Sequence, residues 1–514
     1  MPLHADTRHY DACVHISELD AVLDRLAGRS DAPERAHDPQ TFVAWAAASD
    51  PELDGPMPLS RFLAELRAGR PDLLDAYPQI PGIHVADYCE WARVFGREQV
   101  PIPAELIPAN VRPTIARYDQ AGVNLAGFLT AELGIGEVAR RLASALRVAS
   151  VPFATTTFTQ TANRTAVEFR ADSEARFDTN IVCVNADSWG SFAQRVGPGF
   201  FAGRTTIGVW FWETSTFPSM FHSAFSGIDE IWTASSYVAD ILRASAPSNI
   251  PVRELPLPIV APGRSMRDIR ACLNVPGDRQ LFVTSFDHNS VADRKNPQGA
   301  IRAFQKAFPN GDGPMLLVKS INGDRHPDSS SSIRELTSTR ADVMVYDGYL
   351  DPADNIALMA QADCIVSLHR AEGFGFNIAD AMALGVPVLA TAYSGNLAYA
   401  DADDCWLVAA TETLVGPGHF PYESAARWAE PDLESASHLM TAIAADPHGA
   451  RERANRARTR VLRTFTPERT GAVVRNRIAG LRAERASQQG DGAALLAPSV
   501  PPRGRWARAL SRYV

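Results

Sequence analysis

The sequence has no CxxC pair, no Cys/His cluster, no long apolar run and, over most of its length, no excess of positive charge. Its six cysteines (Cys13, Cys89, Cys183, Cys272, Cys364, Cys405) are scattered, and Cys183 and Cys364 fall inside apolar strand-like runs, where a reduced thiol acts as a small hydrophobe. That spacing excludes a zinc ribbon and a disulfide framework. No run approaches the roughly 18 apolar residues of a spanning helix, and MPLHADTRHY has no basic-then-apolar leader pattern, so a cytoplasmic protein is expected. Net charge is −9. From Arg451 onward 15 arginines face only Glu452, Glu468, Glu484 and Asp491, a balance of +11 that leaves −20 on the rest. An acidic body excludes general nucleic-acid binding, which needs a dominant basic footprint.

What is present is length and alternation. At 514 residues and 46% hydrophobic, the chain has material for two or three domains with full cores. Residues 1–117 read as a helical accessory domain, with aromatic clusters at Phe42–Trp45 and Tyr88–Trp91 and a proline-marked linker at 101, 103, 108 and 113. From 118 to 262, apolar strands (122–129, 151–158, 180–186, 205–212, 230–234, 252–257) alternate with helices, the pattern of a parallel sheet covered on both faces. After a polar linker over 262–278 the alternation restarts, with strands at 280–286, 314–319, 342–346, 363–368, 387–391 and 405–409. Helices follow to 485, completing a second domain over 263–485. The fold class is α/β, two Rossmann-like domains facing one cleft, because ligands of such sheets bind at the carboxyl ends of the strands. Residues 486–514 read as a disordered basic tail.

Four clusters carry chemistry. GIGEVA, holding Gly134 and Gly136, follows the first strand and opens a helix, where free N–H groups and the helix dipole attract an anion. Its letters also fit the dinucleotide fingerprint, but that needs an acid ending the second strand, and none occurs between Val138 and Val167. Arg294 and Lys295 precede a helix starting at Pro297, and Lys319 closes the apolar strand MLLVK; on equivalent edges of successive strands they suit a diphosphate. Taken singly, each lysine also fits a solvated surface. In SLHRAEGFGFNIADAMALGVPVLATAYSGN, Glu372 opens a glycine-bearing loop and Asp380 lies eight positions on, in a helix whose dipole also favours an acid. Trp212 and Glu213, in WFWE, fit either core packing or the mouth of a cleft.

GIGE, RKNP, Lys319, EGFGFNIADAMALGVPVLAT and WAEPD together resemble the retaining glycosyltransferases of family 4, over about 120–480. More narrowly, VNAD, IGVWFWETSTFP and DEIWTASSYVADIL look like a subgroup of bacterial surface-polysaccharide and glycolipid assembly. The resemblance implies the GT-B fold and a nucleotide-diphosphate sugar as substrate, GDP-mannose first, with no separate cofactor; no aspartate cluster of the DxD kind stands at a strand end, so the reading requires no metal. It implies that Glu372, Gly373, Phe374, Gly375, Phe376 and Asn377 engage the donor. Lys295, or Arg294, and Lys319 hold its diphosphate, with Glu372, Lys295 and Lys319 as the catalytic set. Gly134 and Gly136 donate from the other domain. The second acid of the family's glutamate-x7-glutamate pair grips the ribose, and aspartate, Asp380, stands there. Trp212 and Glu213 take the acceptor side, for a glycan or lipid-linked acceptor. The tail, with Arg503, Arg505, Arg508 and Arg512 around Trp506 and Tyr513, fits peripheral contact with anionic lipid on the inner face of the plasma membrane. Two other classes stay open: a nucleotide-sugar epimerase or hydrolase using His369 and Glu372, and a binding-only relative.

Overall fold

The structure, a computed structural model, describes residues 19–494 apart from 51–52, 54–58, 79, 81–84, 97–99, 101, 104–105, 107–119, 172–174, 202 and 264–266. Most of the expected linker prolines and the basic end of the tail lie outside the described residues.

Two six-stranded parallel sheets organise the chain. The first comprises β1 (Val123–Gly127), β2 (Phe153–Thr157), β3 (Thr179–Cys183), β4 (Thr205–Val209), β5 (Glu230–Thr233) and β6 (Val252–Glu254), in the order β2-β1-β3-β4-β5-β6. β1, β3 and β4 are buried at every position, as strands covered on both faces must be. The helix Gly134–Val148 buries Ile135, Val138, Ala139, Leu142, Ala145 and Leu146, the stripe a 3.6-residue period predicts.

The second sheet comprises β7 (Leu281–Asp287), β8 (Met315–Ile321), β9 (Val343–Asp347), β10 (Cys364–Ser367), β11 (Val388–Thr391) and β12 (Trp406–Val408), in the order β12-β11-β10-β7-β8-β9. The order reverses between β7 and β10. Loops leaving those two strands part to opposite sides, opening a crevice at their carboxyl ends.

An antiparallel ribbon, β13 (Ala410–Leu414) with β14 (Arg427–Pro431), follows β12. The sequence reading missed it: four of the five residues of β13 are exposed, so it lacks the apolar alternation that marks a strand. WAEPD, read as a closing motif, contains most of β14.

The last helix, Pro467–Ala494, returns to the first sheet, where Arg477 pairs with buried Glu230 and Arg482 with Asp178. This helix runs past residue 485, where the sequence reading ended ordered structure. Beside it the chain crosses between the halves twice, and the Ile259 N–H donates to the Phe465 carbonyl at 2.8 Å, joining the two crossings.

Before the sheets, helices at 19–27, Pro39–Ala47, Arg61–Ala68, Pro71–Ala76 and Val85–Trp91 share one core. Tyr88 stacks on Trp91 at 5.6 Å and donates to the Leu63 carbonyl at 2.7 Å, so the two aromatic clusters meet in a single interior.

Candidate functional site

Arg294, Lys295 and the loop opened by Glu372 meet at the crevice between β7 and β10. After β7 the backbone passes through Val291 at φ +58, a conformation costly for a β-branched residue by about 1–3 kcal/mol, and then makes the helical turn Ala292–Lys295. Asn296 ends that turn and caps the next helix. Its Oδ1 accepts from the Gly299 N–H at 3.0 Å, and its Nδ2 donates to the Leu368 carbonyl at the end of β10. Arg294 and Lys295 are thereby aimed at the loop after β10.

That loop opens with Glu372, which is 8% exposed. Lys295 Nζ donates to Glu372 Oε1 at 2.5 Å, and Arg294 Nη1 donates to Oε2 at 3.3 Å and to the Ala371 carbonyl at 2.7 Å. Burial pushes the Glu372 carboxyl up, but the two cations prevail and hold it at about 2. Burial pushes the Lys295 ammonium down, against the attraction of Glu372. The loop is fixed from beneath by residues the sequence reading gave no role. The Glu372 N–H donates to Ser394 Oγ, the Gly395 N–H to the Glu372 carbonyl, and the Tyr399 hydroxyl to the carbonyls of Phe374 and Gly375. A side chain at 395 would put its Cβ 2.1 Å from the Gly373 carbonyl oxygen, so glycine is required there. AYSGN carried these residues in the sequence, without a spacing rule to single them out.

Gly375, at φ +87, leads into the helix Phe376–Leu384, which has no side-chain cap at its N-terminus. Asn377, on its first turn, donates from Nδ2 to the Ser285 carbonyl at 3.1 Å, and Ser285 is the β7 partner of Lys319 on β8. The free N–H groups of the helix and Lys319 therefore serve one sheet edge. Lys319 is 8% exposed and, among the described residues, its ammonium makes no hydrogen bond or ion pair. Burial pushes its pKa down, with Asp287 and Glu132 pulling the other way.

Phe374 is buried, 5.0 Å from Phe376 and 4.9 Å from Tyr399, and so shapes the loop from inside. Gly373 sits under Phe211 of the first sheet, where an added Cβ would lie 3.2 Å from that ring. His369 is fully buried: Nδ1 lies 3.0 Å from Ser367 Oγ and Nε2 lies 3.1 Å from Asn396 Oδ1. Burial pushes its pKa down, and both ring nitrogens are engaged by these neighbours.

Facing this edge, the helix Gly134–Val148 also lacks a side-chain cap. Gly134 is exposed with nothing near its missing side chain, whereas a Cβ on Gly136 would meet the Phe128 carbonyl at 2.5 Å. Gly134 thus leaves open space beside its N–H, and Gly136 allows the turn. Asp380 is held by the same helix: Arg141 Nη2 donates to its Oδ1 at 2.6 Å, with Nε on Glu137 and Nη1 on the Pro258 carbonyl. Burial pushes the Asp380 carboxyl up and Arg141 opposes it; Oδ2 accepts no hydrogen bond among the described residues. Arg141 was not foreseen, since its partner lies 239 positions away.

Glu213 follows β4, accepts from the Tyr422 hydroxyl at 2.8 Å and lies 3.9 Å from Arg294 Nη2. Trp212 is buried, its indole N–H donating to the Thr216 carbonyl at 2.7 Å and its ring 5.2 Å from Tyr422. Tyr422 belongs to the segment linking the strands of the ribbon, so that missed element completes this wall. Among the described residues no group of three His, Cys, Asp or Glu is placed to hold a metal ion, and no helix is long and apolar enough to cross a membrane.

Residues 246–474 match the family model described as family 4 glycosyltransferase in conflict systems. No curated protein matches the chain. Among solved structures it resembles sucrose-phosphate synthase from Thermosynechococcus elongatus, at 15% identity and TM-score 0.51 over 71% of this chain and 100% of that one. It resembles Anabaena HepE in complex with UDP and glucose, at 12% identity and TM-score 0.51 over 70% and 100%. A Rickettsia africae glycosyltransferase follows at 14% identity and TM-score 0.50 over 70% and 98%. At these identities the likeness is one of fold: two parallel sheets facing a cleft.

Proposed function

We propose that this chain, a family 4 glycosyltransferase with the GT-B fold, moves a hexose from a nucleoside diphosphate to a glycan or lipid-linked hydroxyl with retention and without a metal. The observation that carries the reading is Lys319: a buried lysine whose ammonium makes no hydrogen bond or ion pair among the described residues, on the same edge as an uncapped helix N-terminus, is a seat for phosphate. Lys295, Lys319 and the N–H groups of Gly375–Asn377 take the diphosphate. Gly134 and its neighbours close it from the first sheet. Glu372, fixed by Lys295 and Arg294, faces the sugar. Asp380 offers its free Oδ2 to a ribose hydroxyl while Arg141 fixes Oδ1. Glu213 stands on the acceptor side, with Trp212 supporting it from within.

In the reaction the bond from the anomeric carbon to phosphate breaks and its electrons pass to the phosphate oxygen, whose charge the two lysines and the helix end stabilise. The acceptor oxygen bonds the same carbon from the same face and its proton goes to the departing phosphate. A buried His369 with both ring nitrogens hydrogen-bonded and an ion-paired Glu372 favour this over acid/base epimerisation or hydrolysis.

A thermal-shift panel of GDP-mannose, UDP-glucose, GDP and UDP, followed by nucleotide-release assays, tests the reading. GDP-mannose is the first expectation, and UDP-glucose is the second because UDP and glucose occupy the Anabaena protein. Stabilisation by a nucleotide with sugar-dependent release supports it. No shift with any of the four overturns it, and binding without release leaves a binding protein. Placement on the inner face of the membrane is tested by liposome co-sedimentation with and without 486–514; equal pelleting removes it.

A further inference from the structure

Among its described residues, the crossing from β2 to β3 contains no helix. Residues 158–171 instead run as an irregular segment across the cleft. On their own side they are tied to the phosphate-facing loop: the Glu132 N–H donates to the Arg164 carbonyl at 2.9 Å, and Arg164 grips Glu132 through Nε and Nη2, each at 3.0 Å. On the far side they touch the ends of three successive strands. Asn163 Nδ2 donates to Asp287 Oδ2 at 2.7 Å, at the end of β7. Arg325 Nη1 donates to the Ala162 carbonyl at 2.5 Å, after β8. The Arg164 guanidinium lies 4.4 Å from the Tyr349 ring centre, after β9.

The order of the sheet gives this segment its meaning. Along one edge come Glu372 after β10, Lys295 after β7, Lys319 on β8 and Tyr349 after β9. With the sugar at Glu372 and the diphosphate at the lysines, the nucleoside extends toward β9, beneath Asn163 and Arg164. Asp287 is already bonded to Asn322 Nδ2 at 2.7 Å, and Asn322 Oδ1 accepts from the Tyr349 hydroxyl at 3.1 Å. The floor under the segment is therefore hydrogen-bonded within itself, whereas the clasps above it are separate side-chain contacts, Arg164 Nη2 adding a 3.4 Å hydrogen bond to the Leu350 carbonyl. Long irregular connections of this kind carry function more often than structure.

We propose that 158–171 is a strap that closes over the nucleoside end of the donor cleft, with Asn163 and Arg164 as its clasps; this rests on the donor reading above. A nucleoside diphosphate passes the strap to enter and to leave, so the clasps set how long it stays.

The test is stopped-flow binding of UDP and of GDP to the full chain and to the variant Asn163→Ala with Arg164→Ala, with the single variant Arg325→Ala guarding against a folding defect. Dissociation at least about threefold faster in both variants is expected. Dissociation unchanged in both, with binding intact, overturns the strap. On the wild-type chain, trypsin cleavage after Arg164 should slow several-fold when nucleotide is bound; an unchanged rate also overturns it. If neither UDP nor GDP binds the wild type, the donor reading falls and takes the strap with it; if they bind and these rates do not move, the strap alone falls.

Discussion

Arg294, carried by the second sheet, reaches across the cleft to within 3.9 Å of Glu213 on the first while holding Glu372 at 3.3 Å. One guanidinium thus lies between the loop after β10 and the segment after β4. Burial works against its charge, and Tyr422, Glu213 and Glu372 sustain it. The two halves of the site share this cation, so a change on either side is felt on the other.

Glu372→Ala should cut sugar transfer by about 10²–10³. It also leaves Lys295 and Arg294 side by side without their carboxylate, at a cost of about 3–5 kcal/mol in stability. Adding Lys295→Met should recover part of the stability and none of the turnover. Urea unfolding and nucleotide release, read across the four proteins of the cycle, check both halves.

Lys319→Met should separate binding from stability in the opposite sense. The Lys319 ammonium is desolvated and makes no hydrogen bond or ion pair among the described residues, which costs the empty protein free energy, so its removal should raise the melting temperature while abolishing the shift produced by UDP or GDP. A lower melting temperature together with retained nucleotide binding would contradict the phosphate role.

Nucleotide affinity should fall on the alkaline side, at lower pH than an ordinary lysine predicts. Burial depresses the Lys319 pKa and phosphate favours the charged ammonium. Affinity is therefore full below the pKa of the empty site and declines above it, by up to about tenfold per pH unit for one proton. Calorimetry in buffers of different ionisation enthalpy should show proton uptake on binding, and Lys319→Met should remove that uptake. The Glu372 carboxylate, held at about 2, adds no titration near neutrality. Its contribution to stability is present above the unfolded carboxylate range and is lost only as pH falls through that value.

Gly395→Ala should displace the donor loop without touching a catalytic group. Its Cβ would press on the Gly373 carbonyl, a backbone atom that cannot swing aside. A stability loss of about 1–3 kcal/mol and a clear fall in turnover are expected, to be compared with Gly134→Ala, where the added methyl meets open space. The reverse ranking in stability would show that the 372–395 contact is dispensable.

The parts legible in the sequence were those whose cause is local. Both parallel sheets followed from apolar runs, the helix at Pro297 from proline behind asparagine, and the position of Lys319 at a sheet edge from a lysine ending a buried strand. Arg141 and Tyr422 were not legible. Their partners, Asp380 and Glu213, lie 239 and 209 positions away, and only docking of the two halves brings them together. The ribbon was missed because its exposed strand β13 is held by cross-strand pairing with β14, itself fastened by the Ser215 N–H donating to the Arg427 carbonyl, not by an apolar face. WFWE allowed two readings, and its residues divide between them: Trp210 and Trp212 are buried in aromatic packing while Glu213 faces Arg294.

The hydrogen bond from Ile259 to Phe465 makes the joint between the halves a double one. A single tether would let one half swivel freely on the other. Two neighbouring tethers, with Thr470 Oγ1 fastened to the Pro256 carbonyl beside them, resist torsion and leave bending about one line as the soft motion. Along such an arc the residues farthest from the joint travel farthest, so opening changes the width of the cleft more than the alignment of its walls.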